Sequence, residues 1–291
     1  MKGQDLHSEI TRQLIAAIEA NPGEPQLPWR RGGSALFIPS NALTGNAYRG
    51  INIVSLWAAA ATHSYSLPVW ATYRQWADKG CQVRKDERSS LVVFYKEFRV
   101  EPDKDIQGDD GRRRLARASY VFNADQVDGF ARPEPIATLG PIERLAQADA
   151  FTSATKADIR HGGESAYYST GTDHIKMPDE GLFTGTASSG RTESYYSTLL
   201  HELVHWSGAK HRLDRNMGKR FGDQEYAAEE LVAELGAAFL CGELGISQTP
   251  RQDHAQYLAN WLTLFKKDDR AIFRAAARAS EAASFLSGQA G

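Results

Sequence analysis

The chain has 291 residues, with 34 Lys+Arg against 36 Asp+Glu and a formal net charge of −2. That length suits two domains or one large one at roughly 100–200 residues each, and a composition 42% apolar and 24% charged excludes wholesale disorder. The near-neutral sum argues against a strongly basic nucleic-acid binder, but a whole-chain sum averages over segments of opposite sign.

In chain order, residues 5–20 are predicted to form an amphipathic helix, with Leu6, Ile10, Leu14 and Ile18 at helical spacing and Asn21-Pro22-Gly23 as its stop. A Pro/Gly-rich stretch follows to residue 39. Helices are predicted over 51–62 and 70–79 and a strand over 90–100 (SLVVFYKEFRV). The strand's partner is placed at 115–122, beyond the Asp/Gly-rich 101–111. Residues 131–141, with Pro133, Pro135, Gly140 and Pro141, are the predicted linker. Beyond it the pattern predicts a helix over 142–155, short strands at 165–170 and 172–177, and a helix over 194–208. A loop over 209–223, a helix over 224–244 and two C-terminal helices complete the chain. The expected class is α+β with two domains, 1–130 and 142–291.

The longest apolar run, 51–62, falls short of the roughly 20 residues a bilayer span needs. No signal-peptide pattern opens the sequence, and Cys81 and Cys241 are too few and too far apart for a disulfide framework. A soluble, cytoplasmic protein with reduced thiols and no membrane partner is expected.

His201-Glu202-Leu203-Val204-His205 is an H-E-x-x-H within a helical pattern. Histidines at i and i+4 lie one above the other on a helix face and can share one tetrahedral ion. Glu202 between them is the expected general base and catalytic residue. Zn²⁺ is the expected ion, with Mn²⁺ or Co²⁺ as substitutes. A third ligand is sought on the next helix among Glu225, Glu229, Glu230 and Glu234. Glu229 falls in a small-residue sector with Ala233, Gly236 and Leu240, where a bare carboxylate would be costly unless it met a cation. On that ground His201, His205 and Glu229 are the preferred metal set, with Glu230 as the alternative. Peptide hydrolysis is the default reaction for such a gluzincin-like zinc centre. Residues 172–178 are read as an edge strand for an extended peptide, and Asp173, His211 and Arg212 as substrate-edge or supporting residues.

Residues 1–100 hold 12 Lys+Arg and 8 Asp+Glu, a net of +4; residues 101–135 sum to −2 and residues 136–291 to −4. The first hundred residues are also rich in aromatics, a combination that suits a single-strand groove with stacking platforms. Trp57, Trp70 and Trp76 lie in helical contexts and are expected in the core. The expected DNA contacts are Trp29, Arg30, Arg31, Tyr48 and Arg49, in loops, and Arg84 and Lys85, in a turn.

Taken together, the chain resembles the ArdC-type antirestriction proteins of conjugative plasmids and the related N-terminal regions of plasmid primases. In the first half the resemblance rests on Leu27-Pro28-Trp29, Tyr48-Arg49-Gly50-Ile51-Asn52, Pro68-Val69-Trp70-Ala71-Thr72, Gly80-Cys81-Gln82-Val83-Arg84-Lys85 and Val121-Phe122-Asn123-Ala124-Asp125-Gln126. In the second half it rests on Asp173-His174-Ile175-Lys176-Met177-Pro178, Tyr195-Tyr196-Ser197-Thr198-Leu199-Leu200, Arg212-Leu213-Asp214-Arg215 and Glu229-Glu230-Leu231-Val232-Ala233-Glu234. The resemblance implies an N-terminal single-stranded-DNA-binding domain joined to a zincin-like metallopeptidase domain. It also implies a role in shielding incoming plasmid DNA from host restriction endonucleases during conjugation. One departure stands out: after Val83-Arg84, where relatives carry glycines, this chain reads Lys85-Asp86-Glu87-Arg88-Ser89-Ser90.

The expected partners are single-stranded DNA and a host restriction or other protein substrate. Two other readings stay open on sequence: a DNA-coating protein whose metal is purely structural, and a regulatory metallopeptidase whose N-terminal domain binds protein.

Overall fold

The computed structural model describes residues 3–20, 37–99, 112–131, 141–183, 190–217, 224–246 and 254–289. The expected linker 131–141 lies outside these residues except at its two ends, as do Trp29, Arg30 and Arg31.

Helix α1 (Gly3–Glu19) places Leu6, Ile10, Leu14 and Ile18 on one stripe, each at most 2% exposed, as the i, i+4 spacing requires. Strand β1 (Ser40–Asn41) and helix α2 (Ile51–His63) follow. Next come β2 (Val69–Ala71), α3 (Tyr73–Asp78), β3 (Gln82–Val83), β4 (Ser90–Arg99), β5 (Arg112–Asn123) and β6 (Val127–Asp128). The main sheet has the order β1-β2-β5-β4, and β3 pairs with β6. Edge strand β4 is covered over its first half by α2. There the buried Asn52 amide accepts from the Val93 N–H (2.7 Å) and donates to the Val93 carbonyl (2.8 Å), while Ser55 Oγ donates to Leu91 O. One side chain thus completes a rung that a fifth strand would otherwise supply, which protects an edge from further pairing.

The predicted helix over 70–79 is corrected at its start. Trp70 and Ala71 lie in β2, opposite Asn123 and Phe122 of β5, and the helix begins only at Tyr73. Thr72 holds an extended conformation and accepts from the Gln75 N–H, while the Gln75 side chain accepts from the Thr72 N–H. This reciprocal cap sets the boundary, and its T-x-x-Q signature is visible in the sequence. Trp57, Trp70 and Trp76 are all at most 4% exposed, as expected of core residues.

The second half comprises α4 (Pro141–Ala154), β7 (Asp158–His161), β8 (Tyr167–Ser169), β9 (His174–Met177), α5 (Arg191–Ser207), α6 (Gln224–Leu244), α7 (His254–Lys267) and α8 (Ala271–Gln289). Its sheet has the order β7-β9-β8, so β9 is central. The reading of 172–178 as a free edge is therefore overturned: β9 is paired on both sides, and among the described residues the edges are β7 and β8. Strand β7, short and mostly exposed, lacks the apolar alternation that would reveal it in sequence.

Helices α5, α6 and α8 form the centre of the core. The buried stripe Ala275, Ala276, Ala279, Ala282 and Ala283 lets α8 pack closely on its neighbours. The core does not stop at the boundary between halves. Residues of α1 and α2 belong to the same buried cluster as α5, α6, α7 and α8, with Trp57 of α2 against Phe239 of α6 at 5.8 Å between ring centroids. Gly50, with φ +55 ahead of α2, donates its N–H to Ser280 Oγ of α8. No described helix is long and apolar enough to cross a membrane.

Candidate metal centre

Helix α5 starts at Gly190, whose N–H donates to the Glu193 carboxylate. Its residues from Ser194 to Ser207 are almost all buried, so it runs through the interior and both motif histidines face protein. His201, Glu202 and His205 are 3%, 2% and 9% exposed. Helix α6 packs against this stretch at Gly236, where a Cβ would meet Val204 Cγ2 at 2.8 Å. A glycine is needed there for α6 to come this close to the motif.

That approach brings in Glu230. His201 Nε2 and His205 Nε2 are 3.2 Å apart, and the Glu230 oxygens lie 3.4 Å from the first and 3.5 Å from the second. Donors 2.0–2.2 Å from a tetrahedral ion stand about 3.4 Å from one another, so the donors of these three residues are spaced as such an ion requires. His201, His205 and Glu230 are the one group of three or more such donors found among the described residues. His201 Nδ1 is buried with no hydrogen-bond partner among those residues.

Glu229, the preferred third ligand on sequence, points elsewhere, and the carboxylate that lies beside both histidine Nε2 atoms is that of Glu230, the alternative. Its carboxylate accepts from Arg215 twice, Nε at 3.1 Å and Nη2 at 2.8 Å, and from the His205 Nδ1–H at 3.3 Å. A carboxylate in that small-residue sector requires a cation beside it, and Arg215 is that cation. Arg215 also donates to Ser207 Oγ and to Val204 O. It passes so close to Gly208 that a Cβ there would sit 2.8 Å from Nη2. Arg215 and its role escape a reading of α5 and α6 alone, because it lies in the intervening loop.

The electrostatics favour a cation. Burial alone would lower the His205 pKa, but Glu229 and Glu230 outweigh it and push the imidazole up to about 10. Burial would raise Glu230, yet hydrogen bonds from His201 and His205 hold it far below the usual carboxylate range. Glu229 is likewise held down against its burial by His205 and Arg215. With both imidazoles neutral, the form that ligates a metal, Glu202, Glu229 and Glu230 set three carboxylates against one guanidinium, a formal −2 that a divalent ion would offset.

A cavity of about 220 Å³ opens on this cluster, lined by Glu202, His205, Glu230, Tyr226, Met217 and the β8 residues Tyr167 and Tyr168, among others. Tyr226 precedes Glu230 by one helical turn, a spacing that could have singled it out. Arg212 reaches the cavity through one of its lining residues, Tyr168. It lies over the Trp206 ring at 3.8 Å, pairs with both Asp173 oxygens and donates to Tyr168 Oη. Burial, and then the Asp173 carboxylate, push the Tyr168 phenol up to about 12. The Arg212 hydrogen bond, against a smaller effect of burial, brings Asp173 down to about 2. His211 Nε2 lies 3.2 Å from Asp173 and is exposed.

The N-terminal DNA candidates among the described residues differ in burial and partners. Tyr48 is 6% exposed and part of the core, a correction to its placement as a splayed contact, because the chain turns inward ahead of α2. Arg49 and Lys85 are exposed. Arg84 is engaged with Glu87, the Asp125 carbonyl and Asp128. At the turn after Val83-Arg84, Asp86 adopts φ +66, a left-handed conformation that aspartate tolerates better than most residues.

Residues 4–127 match the family described as the N-terminal domain of anti-restriction factor ArdC, and residues 146–278 match a family of zincin-like metallopeptidases. An uncharacterised protein y4eC of Sinorhizobium fredii is 44% identical over 98% of this chain and 92% of its own length. A DNA primase TraC of Escherichia coli is 36% identical over 97% of this chain, which spans only 27% of that primase. Among solved structures, the antirestriction ArdC protein from plasmid R388 is 40% identical. Its metal-free form superposes with a TM-score of 0.78 over 98% of both chains. Its Mn(II)-bound form gives 0.75 over 99% of this chain and 98% of the other.

Proposed function

Because the chain belongs to the ArdC antirestriction family and carries a zincin-like metallopeptidase domain, we propose that it binds single-stranded DNA and protects incoming plasmid DNA from restriction during conjugation. Its second half is a divalent-metal peptidase centre. The observation that carries the reading is the cavity in which Glu202 stands beside the His201–His205–Glu230 cluster. A metal held only for structure is normally closed by protein ligands, and these three leave a position open on that cavity.

In this reading His201 and His205 hold the ion through Nε2 and Glu230 through its carboxylate. Zn²⁺ is the expected ion, and Mn²⁺ is compatible with the same donors. When bound, the ion supplies Lewis acidity toward a peptide carbonyl. Glu202 takes a proton from the attacking water and passes it to the leaving amine. Glu229 accepts from the His205 Nδ1–H and so keeps Nε2 free for the ion. An extended peptide would add to the open edge of β8, beside Tyr167 and Tyr168. Arg49 and Lys85 remain DNA-contact candidates, as do Trp29, Arg30 and Arg31 in the segment outside the described residues.

The test compares wild type, Glu202→Gln and Glu230→Gln for binding of a labelled oligonucleotide and for plasmid protection in a restricting recipient. Wild type should bind single strands with an inverse dependence on salt. Glu202→Gln should keep DNA and metal binding but lose peptide hydrolysis and protection. Equal protection by all three would sink the catalytic part of the proposal. Absence of salt-sensitive oligonucleotide binding by wild type would sink the DNA part.

A further inference from the structure

The ladder between β4 and β5 concentrates charge that segment sums conceal. Its ten rungs run from Ser90 opposite Val121 to Arg99 opposite Arg112. The outer six rungs, from Phe94–Arg117 to Arg99–Arg112, bring together Lys96, Arg99, Arg112, Arg113, Arg114 and Arg117 with Glu97 as the single acid. That is a net +5 on twelve residues. The intervening 101–111 holds five Asp/Glu and one Lys, so a count along the chain cancels the arm against its own connection. β2 joins β5 only at Phe122 and Asn123, which leaves the outer rungs a two-stranded ribbon among the described residues.

The ribbon has unlike faces, because successive side chains alternate. Tyr95 Oη lies 3.4 Å from His7 Nε2, so one face leans on α1. The other carries Phe94, 49% exposed, directly opposite the exposed Arg117. An aromatic ring and a guanidinium on opposed residues are within reach of one another and of a common ligand. Alternate rungs share a face, so Lys96, Arg113 and Arg117 fall at register positions on the Phe94 face, and Arg99, Arg112, Arg114 and Glu97 on the other. Three like charges on one short face repel, and a polyanion is the partner that relieves them. An exposed ring beside them adds a platform for unpaired bases, which a duplex does not offer.

We propose that the outer β4–β5 ribbon, centred on the Phe94–Arg117 pair, is a contact surface for single-stranded DNA, with Phe94 stacking on a base and Arg117 meeting a phosphate. This deepens the single-strand reading above and rests on it.

The experiment is fluorescence anisotropy of the full-length protein with labelled oligodeoxythymidine and with a duplex, over a salt series. Phe94→Ala should weaken single-strand binding on the order of tenfold, and Phe94→Tyr should restore most of it. Arg117→Gln should make the slope of log K against log salt shallower by about 0.7. Phe94 is half exposed, so thermal melting should show both variants folded. If both variants bind the single strand with wild-type affinity and slope, the ribbon is not the contact, even though the protein binds DNA. Equal weakening of duplex binding by Phe94→Ala would overturn the stacking role. Failure of wild type to bind the oligonucleotide would overturn the functional reading together with this one.

Discussion

Two arginines in the loop after α5 each grip a carboxylate, and they do so in opposite surroundings. Arg215 and Glu229 have side chains 3% and 2% exposed, beside the metal cluster. Arg212 is 8% exposed, but its partner Asp173 is 41% exposed and lies behind Tyr168 of the cavity rim, whose hydroxyl donates to it. Removing one partner of a buried pair leaves an uncompensated charge and costs about 3–5 kcal/mol. A pair open to water contributes about 0–1 kcal/mol. The loop is therefore anchored at the metal side by electrostatics that cannot be given up, and at the rim by a contact that can open.

The largest effect should come from Arg215→Ala, which strands Glu229 in the core. Urea unfolding should show a loss of about 3–5 kcal/mol, and a loss under 1 kcal/mol would erase the contrast between the two arginines. Metal addition tests the same division from the ligand side. At a hundredfold to a thousandfold excess over the dissociation constant, an ion that binds only the folded state should stabilise by about 2.7–4.1 kcal/mol. Glu230→Gln should abolish that gain in a melting experiment. Glu229→Gln should keep it with affinity reduced roughly 10–100-fold, as for a residue that orients a ligand. Equal behaviour of the two variants would contradict their separate roles.

Gly236→Ala should force α6 away from Val204 and cost about 1–3 kcal/mol by overpacking. It should also weaken metal binding, because the same approach positions Glu230; intact metal affinity would separate the two. The smallest effect belongs to the rim. The Asp173 pKa is about 2 in the folded protein, below its ordinary value of 3.8. Its stabilisation is thus complete above about pH 4 and is lost as pH falls toward 2. Asp173→Asn, which tolerates the φ of +49 at this position, should lower the melting temperature by about 2 °C or less at pH 7. Near pH 2 it should match wild type. A larger gap at low pH than at neutrality would reverse the sign of this account.

Much of the site was legible in the sequence because its information is local. The H-E-x-x-H spacing places two imidazoles on one helix face whatever surrounds it, and α6 was predicted at residues 224–244, the span it occupies. The requirement that Glu229 meet a cation was also readable. What could not be read was which cation, since Arg215 arrives from a loop 14 residues away. Without it, the preference fell on Glu229, whose carboxylate meets Arg215, while Glu230 is the carboxylate beside both histidine Nε2 atoms. Likewise Tyr48 reads as a loop residue, and only packing shows it buried.

The sequence by itself determined the elements whose signals lie within one or two turns: the apolar stripe of α1, the motif helix and the Gly-bearing face of α6. The tertiary structure alone decided which carboxylate lies beside both histidines, that β9 is central and not an edge, and that six cations from either side of an acidic stretch belong to one ribbon. Each depends on groups distant in the chain being brought within a few ångströms. Electrostatic and hydrogen-bond energies follow that spatial distance, which separation along the chain does not reveal.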